Sequence, residues 1–288
     1  MLEATFSPLV PTAESEEFYK NFYYQYSLIQ VNDIIIRYTL ECLSENQKTR
    51  LIDLLDNFNE DQKDAVTFVL AAGIMNPAVM RRRKENRGIS TELFSSLKSK
   101  EIDALDWYEK AIEFLMIYAA CEQAMKEYLV PRGNSSDSIK EVNIVTKLFK
   151  QLQDDGLREK FISELSESSS EILKSQNVLG SAWQYYTHIR NTLTHAGGRT
   201  TDRARKIMED SIAKNKKEFA DISAAMFLEL DVPDEDNFFQ NPLGDDIVEL
   251  SDRHMNFFRN MAVLIVESLE RTLHPSEYKI EDFDPYKL

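Results

Sequence analysis

Helix breakers are scarce in this sequence, and no other feature limits the available folds as strongly. The chain has 8 Gly and 8 Pro among its 288 residues. Because both residues weaken or interrupt regular elements, a chain with so few of them can form long uninterrupted helices. No convincing run of alternating polar and apolar residues is bounded by turn signals, which argues against β-strands. The sequence therefore predicts an all-α protein, folded as a helical bundle.

Apolar residues recur at spacings of three and four along several segments, as they do on one face of an α-helix. The segment that follows residue 198 is basic and helical in pattern, and residues 231–246 form an acidic loop that contains proline. The spacing predicts helices at residues 15–43, 48–57, 61–75, 102–130, 138–153 and 158–166, from about 170 into the segment around Arg190, and at 246–273.

The chain is strongly acidic, with a net charge of -15 and a pI of about 4.8. Nucleic acid repels such a chain unless its basic residues are gathered in one place, which argues against a general DNA-coating protein. An enzyme that admits a nucleic acid into one positive cleft remains compatible with this charge. The basic residues that we consider for phosphate contact fall in two groups, Arg81, Arg82 and Arg83, and Arg203, Arg205 and Lys206. A charge run is also typical of a solvated surface, and both interpretations stay open.

The apolar segments and the cysteines bear on where the protein acts. Charged residues break every apolar segment before the ~18 residues that a membrane span needs. The N-terminus lacks the basic and apolar segments of a secretion signal. Cys42 and Cys121 lie far apart, each inside a helical pattern, as buried reduced thiols do. We therefore expect a cytoplasmic protein that makes no membrane contact.

Several common mechanisms are excluded because the sequence lacks the motifs that they require. The sequence has no glycine-rich phosphate loop and no nucleophile elbow. Its histidines show no metal-ligand spacing among themselves, and no cysteine pair accompanies them, so we expect neither a metal nor a cofactor. His254 lies on an apolar stripe, which favours a hydrogen-bonded core histidine, and His274 follows a helix end, where it would act as a C-terminal cap. The other two histidines are His188 and His195.

A carboxylate interrupts the apolar stripe of the helix predicted at residues 102–130. Glu122 falls in the middle of that stripe. A carboxylate that faces a core is costly unless it is paired or hydrogen-bonded. The sequence therefore predicts a partner for Glu122, most naturally an arginine on a neighbouring helix.

The strongest candidate site is the segment from Arg190 to His195. Asn191 and His195 are four positions apart and stack on one face of a helix, whereas Arg190 lies about 100° round the axis from Asn191. The segment ends a helix just before Gly197 and Gly198. A chain that uncoils there can swing the imidazole of His195 back toward the guanidinium of Arg190.

These side chains suit the metal-independent cleavage of RNA. The 2′-OH attacks the adjacent phosphorus, His195 moves a proton, and Arg190 offsets the charge that grows on the phosphorane. Asn191 would hold a phosphate oxygen or fix the histidine tautomer. In the structural alternative, Arg190 and His195 cap helix carbonyls and Arg190 pairs with Glu122.

Two motifs relate the chain to a known family. Arg190 is followed directly by the polar Asn191 and, after four intervening residues, by His195 and then small residues. Residues 114–126 run from an aromatic residue through small residues to Glu122 and then to a lysine. In these features the chain resembles the HEPN superfamily, the helical-bundle domain of many prokaryotic toxins and anti-phage ribonucleases. The resemblance covers about residues 102–273.

The resemblance implies a domain organisation and an activity. Residues 101–288 would form a HEPN-like bundle with an insertion at about 199–245, and residues 1–100 an additional N-terminal helical region of unknown role. The protein would be a homodimeric endoribonuclease of toxin or phage-defence type, with an antitoxin or another defence-system protein as candidate partner. The implied catalytic residues are Arg190, Asn191 and His195, supported by Glu122. Two alternatives stay open: a non-catalytic RNA- or protein-binding module or scaffold, and a purely structural helical adaptor.

Overall fold

The structure, a computed structural model, describes residues 8–42, 104–168, 175–196, 198, 200–220, 242–243 and 247–275. Of the described residues, 81% are helical. Within these ranges the one β-type pairing is an isolated bridge between Leu243 and Val248. The predicted all-α bundle is therefore confirmed. Its helices are α1 (Glu17–Cys42), α2 (Ala104–Leu129), α3 (Ile144–Asp154), α4 (Arg158–Ser168), α5 (Gln176–Ala196), α6 (Asp202–Lys214) and α7 (Asp252–Leu273).

Helices α1 and α2 form an antiparallel pair. The amide of Asn21 donates to Glu127 at 3.2 Å, and the amide of Gln30 donates to Glu113 at 3.1 Å, so residue numbers rise along one helix as they fall along the other. The buried face of α1 belongs to the same hydrophobic core as α2 and α7. Residues 43–100 lie outside the described part, so the predicted boundary near residue 100 stays a prediction.

The helix that carries the candidate site is fixed by an aromatic cluster. The ring of Phe258 on α7 lies 4.6 Å from that of Phe114 on α2 and 4.7 Å from that of Tyr186 on α5, measured between centroids. Trp183 of α5 stacks on Tyr118 of α2 at 4.7 Å. Each such side chain contributes about 1.5–3 kcal/mol when fully buried, so this cluster holds α5 firmly against α2 and α7.

The chain after α5 is clamped by a glycine. Gly198 has a φ of +83°, and a Cβ at this position would lie 2.6 Å from the ring of Trp107. The carbonyl of Gly198 accepts a hydrogen bond from the backbone N–H of Val248 at 2.9 Å, and the indole of Trp107 donates to the carbonyl of Val248 at 2.7 Å. Only a glycine allows both the left-handed backbone and this close approach.

The structure shows why two of the helices begin later than their apolar patterns predict. The helix predicted from residue 138 begins at Ile144, because short 3₁₀ turns such as Glu141–Asn143 occupy the connection before it. The helix predicted from residue 246 begins at Asp252, because the Ser251 hydroxyl accepts a hydrogen bond from the N–H of His254 and caps the first turn. The helices predicted at 48–57 and 61–75 and most of the acidic loop lie outside the described residues.

Candidate functional site

Arg190 lies on the edge of α5, between buried and solvent-facing positions. Ile189 and Leu193 beside it are buried in the core. The Arg190 side chain is 24% exposed, and its guanidinium carbon lies 5.9 Å from the centroid of the Tyr118 ring. The hydroxyl of Tyr118 is 2.8 Å from that of Thr187, which fixes the ring. The guanidinium is therefore supported by an aromatic ring and still reaches solvent.

One nitrogen of Arg190 carries its polar contacts to described residues. Nη1 donates to the side-chain oxygen of Asn191 at 2.9 Å and lies 3.7 Å from a carboxylate oxygen of Glu141. Within the described part of the chain, Nε and Nη2 make no hydrogen bond or ion pair. The structural alternative, in which Arg190 pairs with Glu122, is not what the structure shows.

Asn191 contacts Arg190 rather than His195. Its side-chain oxygen accepts the hydrogen bond from Arg190, so this oxygen orients the guanidinium. The sequence predicted a different role, as a ligand of phosphate or a partner of His195. No hydrogen bond joins Asn191 to His195.

His195 is exposed in the last turn of α5. The helix α5 ends at Ala196, just before the two glycines, as predicted. His195 still lies within the helix, so the expected swing of its imidazole toward Arg190 does not occur. Five residues of helix separate the two side chains by about 140° round the axis and ~7.5 Å along it. No hydrogen bond or ion pair joins His195 to any other residue in the described ranges.

The predicted partner of Glu122 is wrong. The Glu122 side chain is buried and binds Lys126, one turn further along the same helix. A lysine four positions away reaches such a carboxylate while its amine stays near solvent, so no arginine from another helix is required. An arginine from a neighbouring helix does pair with a glutamate of α2, but at Glu113, where Arg259 Nε donates at 2.6 Å. Periodicity alone does not distinguish these two glutamates.

The pKa of the Tyr118 phenol depends on the charged side chains around Arg190. Burial is the largest cause that raises the pKa of Tyr118, the hydrogen bond with Thr187 lowers it, and Glu122 raises it further. Arg190 lowers the same pKa and Glu141 raises it. Both carboxylates and the guanidinium therefore lie within electrostatic reach of one ring, so Glu122 is a neighbour of the site even though it does not bind Arg190.

The other three histidines each lie in a different local environment. The ring of His254 lies 2.8 Å from the Ser251 hydroxyl and 3.4 Å from that of Tyr185, so it is hydrogen-bonded as predicted. The residue is only partly buried, so its predicted place in the core is wrong. His274 is the C-cap residue of α7, as predicted. His188 is partly buried on the same side of α5 as His195, and burial lowers its pKa.

The structure describes the side chain of one of the two cysteines and one of the two groups of basic residues. Cys121 is buried and free, as expected, and its burial raises the pKa of the thiol. Arg203 and Lys206 are exposed on α6 and Arg205 is partly buried there, on the helix that packs against α5. The side chain of Cys42 and the basic run at residues 81–83 lie outside the described part.

The described residues offer neither a metal site nor a membrane span. Among them, no group of three or more histidine, cysteine, aspartate or glutamate side chains is placed to hold a metal ion. No helix in the same ranges is long and apolar enough to cross a bilayer.

Comparison with known proteins assigns no family to the chain: it matches no protein-family model, no curated protein and no solved structure. The chemistry of α5 and its neighbours is therefore the basis for a functional assignment. That chemistry consists of a partly exposed guanidinium held beside an amide, and an exposed imidazole near the end of the same helix.

Proposed function

We propose that the protein is a metal-independent endoribonuclease that cleaves RNA by attack of the 2′-OH on the adjacent phosphorus, acting as a toxin or phage-defence effector. The observation that carries this proposal is the state of Arg190. Its side chain reaches solvent, its Nη1 is held by Asn191, and its Nε and Nη2 have no partner among the described residues. Such a guanidinium can donate two hydrogen bonds to a phosphate.

The reaction assigns a different task to each side chain. An imidazole can act as a general base or a general acid, so His195 can take a proton from the 2′-OH or give one to the leaving oxygen. Arg190 stabilises the negative charge that develops on the phosphorane oxygens. Asn191 keeps the guanidinium oriented through the hydrogen bond at 2.9 Å.

A homodimer is the assembly that we propose for this reaction. Arg190 and His195 of one chain lie about 140° apart round α5. A second copy packed in a symmetric dimer would place an Arg190 and a His195 from different chains beside one phosphodiester. It would also gather the cations of two α6 helices and of residues 81–83, which an acidic chain needs to bind RNA. An antitoxin or another defence-system protein is the proposed partner that restrains the activity.

Cleavage of total RNA by the purified protein in EDTA tests the proposal. Arg190→Ala and His195→Ala should each abolish cleavage, and the products of the parent protein should end in a 2′,3′-cyclic phosphate. Arg132→Ala is a matched control, because Arg132 also lies over a tyrosine ring, Tyr128 at 3.9 Å, and pairs with a carboxylate of Asp155 at 3.4 Å. It should cleave as the parent does. Unimpaired cleavage by both site variants would remove the proposal.

A second candidate function is a non-catalytic RNA- or protein-binding module. The observation that favours it is the continuity of α5 through Ala196, which keeps the imidazole and the guanidinium of one chain on different sides of the helix. Tight binding of RNA without any turnover, unchanged by His195→Ala, would identify this function in place of the nuclease.

A further inference from the structure

The carboxylate of Glu141 lies beside Arg190 although it comes from a different element. Glu141 belongs to the 3₁₀ turn Glu141–Asn143, which precedes α3. We propose that Glu141 is a positioning residue, which orients the guanidinium of Arg190 for a phosphate. This inference rests on the proposed nuclease function.

The backbone of Glu141 is tied to α5 independently of its side chain. The indole of Trp183 donates to the carbonyl oxygen of Glu141 at 2.8 Å. Trp183 precedes Arg190 by seven residues, so both lie on nearly the same face of α5, two turns apart. The turn is further closed by the side chain of Asn143, which accepts from the N–H of Lys140 at 3.0 Å. These contacts hold the turn, so they place the Glu141 carboxylate beside Arg190 independently of the ion pair between the two side chains.

Glu141 and Asn191 contact the same nitrogen of Arg190. Asn191 is the next residue on the same helix, so its hydrogen bond to Nη1 leaves the guanidinium free to pivot about that point. Glu141, 3.7 Å from Nη1, supplies a second point of attachment from another element. The edge formed by Nε and Nη2 then remains open among the described residues, and its two parallel N–H bonds match two oxygens of a phosphate.

A purely structural role does not account for this ion pair. The side chains of Arg190 and Glu141 are 24% and 40% exposed, and solvent screens pairs of this kind so strongly that they add little to stability. Because the turn is held through the backbone of Glu141, replacing its side chain should leave the fold in place. We therefore expect loss of the Glu141 carboxylate to change the orientation of the Arg190 guanidinium rather than the stability of the fold.

Steady-state cleavage of a short RNA in EDTA tests the inference with Glu141→Ala and Glu141→Gln. A misoriented guanidinium loses transition-state contacts, so Glu141→Ala should lower kcat about 10-fold and change KM by less than about 2-fold. Glu141→Gln should recover kcat to within about 3-fold of the parent, since its amide oxygen keeps a partial negative charge at the same position. Glu159→Ala is the control. Glu159 also pairs with an arginine, Arg158 at 3.5 Å, but both residues lie on α4, away from Arg190 in the sequence. It should cleave as the parent does.

A double substitution separates positioning from other effects. If Glu141 and Asn191 both act through Nη1, adding Asn191→Ala to Glu141→Ala should lower kcat by less than the product of the two single losses. Parent-like kcat in Glu141→Ala, while Arg190→Ala is inactive, would overturn the inference and leave the nuclease standing. A lower KM in both Glu141 variants would also overturn it, since Glu141 would then only repel the phosphate. Absence of cleavage by the parent protein would remove the proposed function and the inference together.

Discussion

Two glutamate–arginine pairs in this bundle differ in almost every physical respect. Glu113 of α2 and Arg259 of α7 form a pair with side chains only 4% and 7% exposed. Glu141 and Arg190 are far more exposed and 3.7 Å apart. In the buried pair Arg259 uses Nε and Nη2 for Glu113 and Nη1 for Asn256, so all its nitrogens are occupied. In the open pair one nitrogen is occupied.

Of these two arginines, Arg190 is the one available for chemistry. Each nitrogen of Arg259 already donates to a side chain, and Glu113 also accepts from Gln30 of α1 at 3.1 Å, so this network joins three helices. Removing either charge would leave the other buried and unpaired. Arg190 keeps two nitrogens without a partner among the described residues, and its side chain is 24% exposed, so its loss should be felt in function rather than in folding.

Replacing each of the two arginines by alanine should change the stability of the protein by very different amounts. Arg259→Ala should lower the free energy of unfolding by about 3–5 kcal/mol, because the Glu113 carboxylate stays buried without its partner. Arg190→Ala should lower it by less than about 1 kcal/mol, since solvent screens the open pair. Urea denaturation followed by circular dichroism measures both values. Equal losses would show that Arg190 is as much a part of the core as Arg259.

Gly198 fixes the backbone just after the end of α5 that carries His195. Gly198→Ala should cost about 2–3 kcal/mol, because an alanine at positive φ is strained and its Cβ would lie 2.6 Å from the ring of Trp107. Gly156→Ala is the matched control: Gly156 has a φ of +71° but no atom within 4 Å of the added Cβ. It should cost only about 1 kcal/mol. Thermal unfolding of both variants gives the difference, and equal shifts would show that Trp107 does not clamp this turn.

The sequence predicts most of the fold and only part of the site. Apolar spacing identifies long helices well, because burial of one face is what makes them stable. It places Glu122 on a core-facing stripe but does not show that Lys126 reaches it first, since that depends on side-chain reach. It also places Arg190 and His195 at the end of one helix, just before Gly197 and Gly198, where α5 does end. It does not show that His195 stays within the helix, which leaves the imidazole about 140° from the guanidinium round the axis.

The smallest predicted effect is a pH dependence of stability that arises from His188, two residues before Arg190 on α5. Burial lowers the pKa of His188 below its ordinary 6.5, and Nε2 of its ring has no hydrogen-bond partner among the described residues. When the pH falls below 6.5, the unfolded chain therefore takes up a proton that the folded chain resists, so the free energy of unfolding decreases from pH 7.5 to 5.5. His188→Gln should reduce that decrease, measured by urea denaturation at the two pH values. If the variant and the parent lose the same stability between pH 7.5 and 5.5, burial of His188 does not oppose its protonation in the folded protein.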